Sequence, residues 1–98
     1  MEMEYRAEII SNQSVEDDII ELLEQEIPDI QYTVIADAQG RGNTSKKLGT
    51  AVWPEQNFIL YAYVTKEDAS KIKAIISAVI KKFPKEGITL FFTKGEML

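Results

Sequence analysis

Between Ala38 and Pro54 the chain reads AQGRGNTSKKLGTAVWP, with three bases (Arg41, Lys46 and Lys47), three glycines, three hydroxyl side chains and no acid. These residue types suit the capture of an anion. The guanidinium fork of Arg41 matches phosphate or carboxylate oxygens, and the two lysines add mobile positive charge. Gly40, Gly42 and Gly49 permit positive φ and close backbone approach to a ligand, and backbone amides in such a path can cradle an anion. Thr44 and Ser45 can donate and accept hydrogen bonds. GRGNTSKK is not a Walker motif, because Gly42 is followed by Asn43 and no strand–loop–helix context surrounds it. Composition alone also fits a solvated hairpin loop kept soluble by its bases. Length favours function, since structureless loops beyond about 12–15 residues in compact domains usually have a task. Trp53-Pro54 reads as an anchor for the loop base.

A second basic group, Lys81, Lys82 and Lys85, precedes Glu86-Gly87. It fits cations at a helix C-terminus, or a second hand on the same anion. The turn before the last strand and the long loop start at different ends of secondary elements, so the expectation is that they meet only across a boundary between copies. Asp37 and Glu55 flank the loop as a potential carboxylate pair, but no strong nucleophile or base accompanies them. The chain has no cysteine and no histidine. That excludes disulfides, thiol nucleophiles, a Ser-His-Asp triad and the common zinc sites, and no metal-ligand set stands out. The net charge of −5 is polarised. Residues 1–37 carry eleven acids and one base, residues 38–54 three bases, and residues 55–98 seven bases and five acids. So little basic surface argues against nucleic acid as a partner and leaves one small anion.

The elements that must position these residues follow from periodicity. Over Tyr5 to Ser11, Tyr5, Ala7 and Ile9 alternate with Arg6 and Glu8, as in a strand. Ser14 followed by Asp17 reads as a helix start. Val15, Ile19, Leu22, Leu23 and Glu26 keep helical spacing until Pro28. Ile30 to Ala36 and Asn57 to Val64 alternate as strands on either side of the loop, which spans 38–56. Thr65 and Asp68 repeat the capping signal. Ala69, Ile72, Ile76, Val79 and Phe83 form a second helical stripe that ends at Pro84 and Gly87, and Ile88 to Thr93 is the last strand. All 98 residues make a single domain of order β-α-β-β-α-β. That order predicts an α+β, ferredoxin-like βαββαβ sandwich, a four-stranded antiparallel sheet with two helices on one face. The acidic start MEMEYRAE is unlike a signal peptide, and no apolar run approaches the roughly 20 residues that span a bilayer. The expected setting is cytoplasmic, without membrane insertion.

With both helices on one side, the other side of the sheet presents Ile10, Ile35, Ile59, Tyr61, Tyr63 and Phe91. That set is more apolar than a routine solvated face. Ile35, Ile59, Tyr61, Tyr63 and Phe91 are therefore expected to form an oligomer interface, which a closed symmetric assembly would bury. Scattered surface hydrophobics, or aromatics that stack bases, are the other readings of the same residues.

The element order, the long loop between the second and third strands and the GRGNT run at Gly40–Thr44 resemble the P-II nitrogen-regulatory protein family and its short PII-like relatives, over about residues 5–93. The resemblance implies a homotrimer that binds an adenine nucleotide (ATP, ADP or AMP), often with 2-oxoglutarate, between subunits. It also implies a loop that docks on a membrane transporter or an enzyme, and a signalling role that is not enzymatic. By position, Gly40, Arg41, Gly42 and Thr44 fall at the loop base beside the effector. Lys85 and Gly87 fall in the phosphate-gripping turn, which is shorter here than in the family. Ser45, Lys46, Lys47 and Leu48 fall in the partner-binding loop. The trimeric divalent-cation tolerance family shares the fold, and a hard cation held by carboxylates stays open on the residues alone. Two other classes also remain open: an enzyme using Asp37 and Glu55, and a sensing or structural oligomerisation module of ferredoxin-like fold that binds no nucleotide and pairs as a dimer.

Overall fold

The computed structural model describes residues 2–42, 46–47, 49 and 55–98. The main sheet comprises β1 (Tyr5–Asn12), β2 (Tyr32–Ala38), β5 (Asn57–Val64) and β6 (Thr89–Lys94), in the order β2-β5-β1-β6. Every neighbouring pair is antiparallel. Helices α1 (Glu16–Glu26) and α2 (Lys66–Lys82) follow β1 and β5, and a short ribbon of β3 (Gly40–Arg41) and β4 (Lys46–Lys47) rises from the base of the long loop. This is the ferredoxin-like arrangement expected from the element order.

Alternation in β5 divides the sheet into two faces. Phe58, Leu60, Ala62 and Val64 are buried, with Ala7 and Ile9 of β1 beside them. Ile19 and Leu23 of α1 and Ile72, Ile76 and Val79 of α2 pack onto the same cluster. Removing a side chain this size from water contributes about 1.5–3 kcal/mol, which fixes the side on which the helices lie. Leu22 and Glu26, expected on the α1 stripe, are exposed at its margin.

The helix starts differ. Thr65 caps α2 as expected, its hydroxyl accepting from the Asp68 amide at 3.2 Å. Ser14 does not cap α1. It sits in a 3₁₀ turn (Gln13–Val15) that makes no side-chain cap, and its hydroxyl instead donates to Glu86 at 2.8 Å. A long-range carboxylate takes the oxygen that the local pattern assigned to the helix. Glu16, Asp17 and Asp18 still line the first turn of α1, where its dipole favours acids.

On the other face the register stacks side chains in rows. Thr89, Ile10, Ile59 and Ile35 form one row, Phe91, Glu8, Tyr61 and Thr33 the next, and Thr93, Arg6 and Tyr63 the last. Among the described residues no helix covers these rows. Ile35 is 47%, Tyr63 44% and Phe91 62% exposed. Ile10, Ile59 and Tyr61 are half-buried.

Candidate functional site

The antiparallel order decides where the loop base lies. β5 begins where β2 ends, β1 ends opposite the start of β5, and β6 begins opposite the end of β1. The end of β2 and the start of β6 therefore share one end of the sheet within a single chain. The expectation that they would meet only across copies is overturned.

A cavity of about 330 Å³ opens there. Gly40, Arg41 and Gly42 form one wall, and Gly87 and Thr89 the opposite one. Ile10, Ile59 and Asn57 contribute the sheet surface between them. Four of the residues expected to bind effector thus come together. Lys85 is exposed in the same turn but does not line the cavity. Thr44, Ser45, Leu48, Trp53 and Pro54 lie outside the described residues, and for Lys46 and Lys47 only the backbone is described. In the ribbon, Lys46 pairs with Arg41 and Lys47 with Gly40, so the basic run returns alongside the arginine. Arg41 is exposed and has no ion-pair partner among the described residues.

Of the loop glycines, Gly49 has the positive φ expected of it, 69°. Gly40 and Gly42 do not have positive φ. A Cβ on Gly40 would lie 3.1 Å from the Asn57 side-chain nitrogen, so the need there is close approach. Gly87 does require left-handed backbone, at φ 63°, and this turns the chain into β6 beside the cavity.

Asp37 also has positive φ, 58°, where the β2–β5 register shifts between Ile35 and Ala38. A bulge of this kind bends the strand, here just before Gly40. The Gln13 side-chain amide steadies it by donating to Asp37 at 2.7 Å. Asp37 and Glu55, considered as a catalytic pair, bind different partners. Glu55 accepts from Asn12 Nδ2 at 3.1 Å.

Asn12 is the residue that pattern reading missed. It is buried at the end of β1, and its Nδ2 donates to Glu86 at 2.6 Å as well as to Glu55. Its backbone amide donates to the Glu86 carbonyl at 3.1 Å. One asparagine thus joins the returning end of the loop to the turn that forms a cavity wall. A polar residue ending an apolar alternation was the available signal. Two carboxylates converge here, but the described residues form no cluster of three metal-ligating groups. No helix among them is long and apolar enough to cross a membrane.

No family model matches the chain, and no curated protein matches it in sequence. Solved structures do match it in shape. CPII from Thiomonas intermedia K12, bound to ADP and bicarbonate, superposes with a TM-score of 0.74 at 16% identity, over 93% of this chain and 84% of that one. CPII bound to ADP, AMP and bicarbonate, described as a nitrogen regulatory PII-like protein, gives 0.73 at 15% identity, over 97% and 96%. A Thermus thermophilus protein described as PII-like and signaling gives 0.67 at 20% identity, over 93% and 85%. At these identities the likeness is one of architecture: this chain has the fold of the PII-like proteins.

Proposed function

We propose that this protein is a PII-like regulator that binds a small anionic effector at the base of its long loop. The observation that carries this reading is the single cavity walled by Gly40–Gly42 and by the Gly87 turn. Its volume of about 330 Å³ lies at the low end of small-molecule pockets, roughly 300–1,000 Å³. Adenine nucleotide and bicarbonate are the favoured effectors, because CPII, of the same fold, is bound to both classes. Arg41 pairs with the anion, the close approach at Gly40 brings backbone to it, and Lys85 adds charge from the rim. A bound anion orders the loop through Ser45–Leu48, and the ordered loop engages a transporter or an enzyme in the cytoplasm. The role is regulatory and not catalytic. Copies associate through the outer sheet face, as a homotrimer, which covers Ile35, Ile59, Tyr61, Tyr63 and Phe91.

The test is calorimetry and thermal unfolding with ATP, ADP, AMP, cyclic nucleotides and bicarbonate. A true effector present at a hundred times its Kd stabilises the fold by about 2.7 kcal/mol. Arg41→Glu reverses the charge and should weaken that binding at least about tenfold. If none of these ligands stabilises the protein, or if Arg41→Glu binds as the wild type does, the reading fails.

A further inference from the structure

Within the apolar and aromatic rows of the outer face stand two opposite charges, Arg6 and Glu8. Both are on β1 and both are half-buried. They lie two residues apart on the same face, roughly 6.5 Å along the strand. Neither has an ion-pair partner among the described residues. The Arg6 guanidinium lies over the Tyr61 ring, 5.3 Å from its centroid. Its Nε is buried with no hydrogen bond. Stacking holds the fork in place, and a buried donor left unpaired is costly.

Resting on the reading that copies associate through this face, we infer that Arg6 of one copy pairs with Glu8 of another. A small carboxylate bound at Arg6 would leave Glu8 unpaired among Tyr61, Phe91 and Ile10. A closed ring of copies satisfies both charges, each Arg6 meeting Glu8 of one neighbour and each Glu8 meeting Arg6 of the other, because each copy brings one of each sign. The pair also sets the docking angle. Packings that place Arg6 on Arg6 or Glu8 on Glu8 bury like charges and are disfavoured. The apolar rows provide the area, and this pair selects one arrangement from the many that greasy surfaces allow.

Charge exchange tests the inference, with mass measured by light scattering across protein concentration. Arg6→Glu and Glu8→Arg, each alone, should raise the dissociation constant at least about tenfold. Combining both changes in one chain should restore assembly, because every contact then again joins opposite charges. Single variants that assemble like the wild type overturn the pairing and leave the outer-face reading intact, as does a combined variant that stays apart. A wild-type chain that is a lone protomer at micromolar concentration overturns the outer-face reading and the pairing together. If Arg6→Glu does not fold, Glu8→Gln decides. Added salt should weaken wild-type assembly more steeply than assembly of Glu8→Gln, and equal salt slopes overturn the pairing.

Discussion

On one side of β5, Phe58, Leu60 and Ala62 have no exposed surface. On the other, Tyr63 is 44% exposed and Tyr61 half-buried. Both sets come from the same alternation in the same strand, and they differ in what lies over them. Among the described residues, two amphipathic helices cover the first set and no element covers the second. One face of the sheet is completed by local sequence, and in the proposed assembly the other is completed by further copies. On that proposal two distinct kinds of stability follow, one independent of protein concentration and one tied to it.

The contrast can be pressed hardest on the inner side. Phe58→Ala should cost about 3–5 kcal/mol, read by denaturant unfolding, and should do so at any protein concentration. For a domain whose whole stability is about 5–15 kcal/mol, that loss is a large part of the margin. A cost below about 1 kcal/mol, no more than an ordinary single substitution, would mean that the two faces differ less than their burial indicates. On the outer side, Phe91→Lys removes a ring that is 62% exposed. The protomer's own stability should change by no more than about 0.5 kcal/mol, whereas the dependence of Tm on protein concentration should disappear. An unchanged dependence would remove Phe91 from any interface.

The smallest effect lies at the edge strand. Tyr32 donates to Glu24 at 2.9 Å, and that bond to a carboxylate raises its phenol above the ordinary value of 10.0, with minor desolvation and repulsion from the same carboxylate. A folded-state value above the unfolded one makes this contribution complete below about pH 10 and lost as pH rises through the folded value. Tyr32→Phe should therefore be slightly less stable than the wild type at about pH 8, and the gap should close in strongly alkaline solution. Paired unfolding curves at the two pH values check this, and a constant gap would refute it.

Much of this architecture could be read from the residues. β5 has the bounds its alternation predicted, Asn57–Val64, because every second residue enters the core. The Thr65 cap formed because its signal is contained within four residues. The site was less legible. The Asp37 bulge and the Asn12 bonds depend on segments apart in sequence. Ser14 shows the same limit, since a carboxylate 72 positions away claimed the oxygen that the local motif reserved for a helix. The meeting of Arg41 with Gly87 was implicit in the antiparallel order, but only once all four strands were placed together. Reading each element by itself hid it.

Asn12 has two side-chain amide protons, and Glu55 and Glu86 each hold one. The chain leaving the loop and the chain entering the last strand therefore behave as a yoked pair. A displacement that carries either carboxylate beyond bonding reach strands a proton at a buried nitrogen. A shift of the chain at Glu55 would thus be felt at the Gly87 wall through this linkage.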